Sequence, residues 1–367
     1  MAFAYGIGVD TLIASVANDV GTLTGIQIDT DWTFETAAKE AFFVRFVSPL
    51  SQTNAALTLY VYPTAVTGTP TFGIECRNGA AAAGDTDRPE AAGATIGTPG
   101  ADITPTANRW ATFTFSSLSL VAGQTYYLVI KNTTGDPTTN HATWTYRGNY
   151  EGQSGWTGIG GFPFLQCGYT QAGFTADPTV SSSLGPAVLK FGDGTIWGFP
   201  YVSQTAHASN SNDRGNRVNF LRDTVIIGIA TGVTGTAAAT IEITKTSDHS
   251  VLLSQTIDEA AQLKHGGGMF PAVTLSAGVD YDVVITMGAS TTAGARAYMG
   301  EADGSLPADV QACRPSWLNG FVGGATDPAS YTLTVGLALP MAFFIDAMGT
   351  ATGGGLLTHP GFGGRLV

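Results

Sequence analysis

Seven residues of this chain recur at one fixed spacing, and that repeat constrains the fold more than any other feature of the sequence. Phe115, Leu120, Ala122, Gly123, Tyr126, Val129 and Ile130 return 155 residues later as Phe270, Leu275, Ala277, Gly278, Tyr281, Val284 and Ile285. Solenoid repeats have periods of about 20–50 residues, so two copies this far apart point to two versions of one domain. The shared phrase runs from apolar residues through an Ala-Gly turn into a strand carrying Tyr, Val and Ile, which is the grammar of a β-sandwich. Gly supplies the positive φ that a tight turn needs. Tyr126 and Tyr281, near the start of the next strand, can bury their rings and return their hydroxyls to backbone near the turn, as in the tyrosine corner of sandwich folds. Leu120, Gly123, Tyr126, Leu275, Gly278 and Tyr281 are therefore read as turn and core residues.

The remaining sequence fits the same architecture. Residues 42–47, 56–62, 72–77, 110–115, 126–131 and 142–146 read as strands of the first copy, punctuated by Gly, Pro, Asn and Thr clusters. A second set covers 217–230, 240–246, 251–256, 270–275, 281–287 and 295–299. Away from the shared phrase the match is looser: 42–48 aligns with 218–224, and 56–62 with 239–244. Short helical turns fit 35–41 and 258–263. Residues 78–108 read as a long surface loop, of the length that is usually functional or disordered. The expected fold is all-β, with two tandem jelly-roll-like β-sandwiches. The first spans 1–150 and the second 199–340. An aromatic, Gly-rich bridge (151–198) joins them, and a Gly-rich C-terminal arm (341–367) is either frayed or laid across a neighbouring subunit. The bridge carries Trp156, Phe162, Tyr169 and Trp197. These either pack between the sandwiches or line a groove for a glycan or a partner chain, since aromatic rings pair an apolar face with a polar edge.

Charge and motif content exclude several functions. Charged residues make up 12% of the chain, against roughly 25% in average globular proteins. With net charge −12 and 16 basic residues, it is a poor nucleic-acid binder, because that affinity comes from Lys and Arg contacts to phosphate. A polybasic membrane-surface role is disfavoured likewise. Lys39 is the single basic residue before Glu40, so no positive n-region of a secretory signal is expected. Cys76, Cys167 and Cys313 lack zinc or redox spacing and read as apolar fillers. There is no G-x-S-x-G or H-E-x-x-H, and the five histidines are scattered. The oxygen-rich turns at Asp85 and Asp87, at Asp193 and at Asp213 read as Asx-turns in preference to Ca2+ sites. Asn132-Thr133-Thr134 forms a sequon. No catalytic, cofactor or metal residue is expected, and the chain reads as a non-enzyme.

Three phrases carry a resemblance: Gly68-Thr-Pro-Thr-Phe-Gly-Ile-Glu-Cys-Arg77, Trp110-Ala-Thr-Phe-Thr-Phe115 and Leu120-Val-Ala-Gly-Gln-Thr-Tyr-Tyr-Leu-Val129. They resemble jelly-roll, carbohydrate-binding-like modules of tailed-bacteriophage structural proteins and bacterial surface proteins, over residues 26–149 and more faintly 188–300. The resemblance has no signature site, so it assigns no binding residues. Between these settings, the lack of a positive n-region favours a virion protein assembled in the host cytoplasm: a capsid decoration, head-fibre or tail-associated component. Its partners would be other virion proteins, further copies of itself (a trimer is one form) and cell-surface glycans. Residues 1–29 and 342–367 are the expected docking segments. The alternatives are a carbohydrate-binding adhesin module and, third, a polysaccharide-degrading enzyme on the same scaffold.

Overall fold

The computed structural model describes residues 23–28, 39–48, 51–78, 95–122, 124–147, 166–171, 187–194, 196–199, 203–206, 212–220, 223–231, 239–257, 267–287, 296–299, 307, 316–322, 331–334, 337–338, 341–349 and 356–358. Among these the chain is all-β, without a helix. It divides into two compact units. One comprises residues 21–152 and 162–194; the other comprises 195–367 together with 1–20 and 153–161.

The first unit begins with β1 (Leu23–Ile28), β2 (Lys39–Val47), β3 (Gln52–Val61) and β4 (Pro63–Thr67). It continues through β5 (Phe72–Asn78), β6 (Thr98–Pro99), β7 (Ala111–Leu120) and β8 (Thr125–Asn132). β9 (His141–Arg147), β10 (Gln166–Gln171) and β11 (Ala187–Phe191) complete it. Its strands form the sheets β10-β2-β8-β5 and β1-β9-β4 and the β11-β3-β7-β6 part of a five-stranded sheet.

Side-chain alternation explains how these sheets face one another. Along β7, Ala111, Phe113 and Phe115 are buried while Thr112, Thr114 and Ser116 are exposed, the period-2 pattern of a half-buried strand. Register shifts against β3 follow on either side of Ala55, and they return Leu118 and Leu120 to the core. Asn54 sits there at φ 48, a left-handed conformation that Asn tolerates better than most residues. Phe46 of β2 meets Phe191 of β11 edge-on at 6.3 Å, joining the two larger sheets. Trp144 of β9 is fully buried. Its ring lies 6.1 Å from Phe42, 5.1 Å from Phe72 and 5.9 Å from Phe113. One indole thus ties all three sheets together.

The sheet β10-β2-β8-β5 is buried on both faces. Phe42, Val44 and Phe46 share one face with Ile130, Leu128 and Tyr126. On the other, Ala41, Phe43, Tyr127 and Val129 form a second fully buried cluster. Near-continuous apolar runs are what such strands require, and β2 and β8 supply them.

The second unit contains β12 (Ile196–Phe199), β13 (Ser203–Ala206), β14 (Asn212–Asn219), β15 (Thr224–Thr231) and β16 (Ala239–Lys245). β17 (Val251–Ile257), β18 (Gly267–Leu275), β19 (Asp280–Met287), β20 (Arg296–Met299) and β21 (Ser316–Val322) follow. Last come β22 (Thr332–Thr334), β23 (Leu337–Ala338), β24 (Met341–Gly349) and β25 (Leu356–Thr358). Its sheets run β17-β16-β19-β14-β21-β22, β18-β15-β24-β25 and β13-β20-β23.

Pairing shows how far the duplication reaches. β10-β2-β8-β5 corresponds to β21-β14-β19-β16, and β11-β3-β7 to β24-β15-β18; β1-β9 corresponds to β13-β20. Several expectations change as a result. Tyr126 is opposite Phe46 and Tyr281 is opposite Val218, so Phe46, not Phe42, is the counterpart of Val218. Residues 56–61 lie in β3, whose counterpart is β15 and not β16. Residues 166–171 and 187–191, expected in a bridge, are strands of the first unit. Residues 341–349, expected in a terminal arm, form β24, paired along β15. Lys39–Ala41, expected at the end of a helical turn, belong to β2; 258–263 lie outside the described residues. The later part of the 78–108 loop is tied to β5 and β7. Ile96 bridges Cys76, Ile103 bridges Phe72, and Gly100 N–H donates to Thr114 O at 2.6 Å.

Candidate functional site

The repeated phrase builds the same corner twice. Val121 N–H donates to the Tyr126 hydroxyl at 2.9 Å, and Ser276 N–H to the Tyr281 hydroxyl at 2.8 Å. Both rings are buried, and burial pushes the Tyr126 phenol above its ordinary value. The next amide is held by a side chain just before the preceding sheet strand. Ala122 N–H donates to Ser51 Oγ at 2.9 Å, and Ala277 N–H to Asp223 Oδ1 at 2.8 Å. Gly278 takes φ 74; Gly123 lies outside the described residues. Leu120 and Leu275 are buried beneath the turns. The arrangement closes turns.

Chemistry that is not repeated lies one residue further along the strand. Arg45 is opposite Tyr127 in the first unit, and Arg217 is opposite Asp282 in the second. Arg217 binds the Asp282 carboxylate with both Nε (2.7 Å) and Nη2 (3.0 Å). Thr246 Oγ1 adds a third contact at 3.2 Å. The Asp282 side chain is fully buried, while that of Arg217 is 29% exposed. The hydrogen bond to Asp282 raises the Arg217 pKa further, against the effect of burial. Beside Tyr127, Glu75 accepts from Arg77 at 2.7 and 3.0 Å and from Lys131. Burial acts to raise the Glu75 pKa, but the hydrogen bonds from Lys131 and Arg77 outweigh it and hold the carboxyl below its ordinary 4.5. The sequence signals neither cluster except through the change from Tyr127 to Asp282 directly after the repeated tyrosine.

A hydroxyl- and amide-rich network occupies one end of the first unit. Thr133 Oγ1 donates to Asp102 Oδ2 at 2.6 Å, Thr71 N–H to Thr134 Oγ1 at 2.7 Å and Thr69 N–H to Asn140 Oδ1 at 2.9 Å. Asn132 is buried and its Nδ2 donates to Asn140 O at 2.7 Å. The sequon asparagine is therefore a structural anchor and is poorly placed to receive a glycan. Exposed Thr112, Thr114 and Ser116 form a row of hydroxyls along β7.

The sequence-predicted contact residues are not brought together among the described side chains. Trp156 and Phe162 lie outside the described residues. Tyr169 is on β10 in register with Phe42, and Trp197 is on β12; neither side chain is described. Cys76 is buried, which pushes its thiol up to about 12, in keeping with a filler. Asp213 is buried and Asp193 exposed, while Asp85 and Asp87 lie outside. Among the described residues no group of three metal-ligating side chains converges. His141 Nδ1 is 3.1 Å from Thr138 O, and His249 occupies a turn at φ 57.

No family model matches the chain, and no curated protein matches it significantly. Among solved structures, it is similar to a lectin from Pleurotus ostreatus in complex with GalNAc, at 11% identity and a TM-score of 0.23, over 86% of this chain and 90% of that one. The apo form of the Pleurotus ostreatus lectin gives 9% identity and a TM-score of 0.22, over 92% of each chain. At such scores the likeness carries no argument about fold or function.

Proposed function

We propose that this chain is a non-enzymatic structural protein of a virus particle, acting in assembly and surface display. The observation that carries the reading is the duplication: nine strand positions recur in both units, and what recurs at side-chain level closes turns and fills cores. Two rigid, charge-poor sandwiches suit a protein that presents surfaces, and the sequence resemblance points to tailed-phage particles as the setting. The test is mass spectrometry of particles purified from the host of the encoding virus. The chain is expected at a fixed copy number per particle. Its absence from particles that carry the other virion proteins would overturn the reading.

A second reading is glycan binding. It is favoured by the exposed hydroxyl row Thr112, Thr114 and Ser116 together with the amide network at the end of the same unit, groups able to exchange hydrogen bonds with sugar hydroxyls. A glycan array comparing wild type, Trp156→Ala and Thr114→Val separates the two candidate surfaces. No binding by wild type sinks this reading without touching the first.

A further inference from the structure

Sheet edges expose unpaired backbone N–H and C=O groups, and proteins usually blunt them with charges, proline, short strands or covering segments. Several edges among the described residues follow that rule. β4 begins at Pro63, and β18 contains Pro271. β6, β22 and β25 have only two or three residues. β5 carries Glu75 and Arg77, and Ile96 and Ile103 bridge to its outer side.

β17 follows none of these devices. Its seven residues, Val-Leu-Leu-Ser-Gln-Thr-Ile, contain no charge, proline or glycine. It ends the six-stranded sheet of the second unit, with β16 on one side and no strand on the other among the described residues. From Leu253 to Ile257 it stays in unbroken register with β16, so the outer edge there is a regular ladder. One face is exposed through Val251 (59%), Ser254 and Thr256, and Leu252, at the register shift, is 41% exposed. β17 also lies beyond β16, the counterpart of β5, in the position that Ile96 and Ile103 guard in the first unit. Among the described residues, no strand or bridge lies beyond β17 as Ile96 and Ile103 lie beyond β5.

We infer that β17 pairs antiparallel with β17 of a second copy across a twofold axis, joining two six-stranded sheets edge to edge. Antiparallel pairing of identical strands is self-complementary, as an isologous contact requires. With the axis at Ser254, it also brings Val251 against Ile257 and Leu252 against Thr256 of the other copy. Charge favours the same occupant. A chain of net charge −12 repels its own copies, and an uncharged strand is where two copies approach without like charges facing each other. The inference concerns the isolated protein and does not rest on the particle reading.

The experiment is the mass of the purified full-length chain by light scattering and sedimentation across about 1–100 µM, for wild type and for Ser254→Lys/Thr256→Lys. Wild type is expected at twice 37.8 kDa at the upper concentrations. The double variant is expected to stay monomeric with an unchanged circular-dichroism spectrum and Tm. The two lysines bring the net charge from −12 to −10, which weakens general repulsion, so loss of the dimer reports a local effect. Thr112→Lys/Thr114→Lys, on the exposed face of β7, carries the same charge change and keeps the dimer. A monomeric or trimeric wild type overturns the inference, as does a Ser254→Lys/Thr256→Lys protein that still dimerises.

Discussion

The sheet β10-β2-β8-β5 and its counterpart β21-β14-β19-β16 share a topology and one face, and differ on the other. Toward the tyrosine corner both pack aliphatic residues against a buried Tyr: Ile74, Leu128 and Ile130 in one, Ile241, Val283 and Ile285 in the other. On the opposite face Phe43 meets Tyr127 at 5.3 Å in the first unit. In the second, Gly215 and Asp282 hold those positions. A Cβ on Gly215 would overlap the Val283 carbonyl, so no larger residue fits, and Arg217 closes over Asp282 in place of an aromatic pair. Arginine is common to both copies as Arg45 and Arg217; only its cross-strand partner has changed. A duplicated scaffold preserves the interactions that set its turns, and its second face is free to be rebuilt.

The largest expected effect comes from removing the aromatic version. Tyr127→Ala deletes a fully buried ring and should destabilise the first unit by about 3–5 kcal/mol, seen as faster hydrogen exchange in β2 and β8 with β14 and β19 unaffected. Equal acceleration in both units would show that the two faces are not independent. Asp282→Asn should cost the second unit about 1–3 kcal/mol in urea unfolding. It falls below the fully buried limit because Arg217 is partly exposed and can rehydrate. Were Asp282→Asn neutral, the ion pair would be incidental to that face.

Tyr126→Phe and Tyr281→Phe test the shared side of the comparison. Each strands one backbone N–H, of Val121 or Ser276, at about 1 kcal/mol, and the two losses should agree. Tm changes that differ severalfold would mean the corners are alike in geometry only. The smallest effect is a pH dependence. Because the folded-state pKa of Glu75 is depressed, its contribution is complete above the unfolded value and is lost as pH falls through the folded one. The first unit should therefore weaken below about pH 4.5, and Glu75→Gln should flatten that part of the Tm profile. An unchanged acid limb in Glu75→Gln would remove the cluster from the account.

The shared corner was legible in the sequence because every residue that makes it, apart from the Ser51 and Asp223 side chains, lies within one short phrase. Those two capping groups approach from distant chain, and nothing near the turn signals them. The strand matches before the phrase went astray because the loops between differ in length. Arg45 and Arg217 stand 172 residues apart, whereas Tyr127 and Asp282 stand 155 apart. A constant offset therefore misplaces β14 and β15. Residues 341–349 looked like an arm because glycine follows them, yet Met-Ala-Phe-Phe-Ile carries the apolar density of a paired strand. The candidate contacts Trp156 and Phe162 rest on aromatic density alone, a signal that does not distinguish packing from recognition.

The place of β24 beside β15 has a kinetic consequence. β15 is made more than a hundred residues before its neighbour, so the second unit cannot complete that sheet until residues 341–349 have left the ribosome. Until then one side of β15 lacks its partner, and closing it costs the entropy of a long loop. In the first unit β3 waits in the same way for β11, also more than a hundred residues on, but that wait ends once residue 191 has emerged. A growing chain should therefore carry one folded sandwich ahead of one still open, with its longest exposure to misassembly falling late in synthesis.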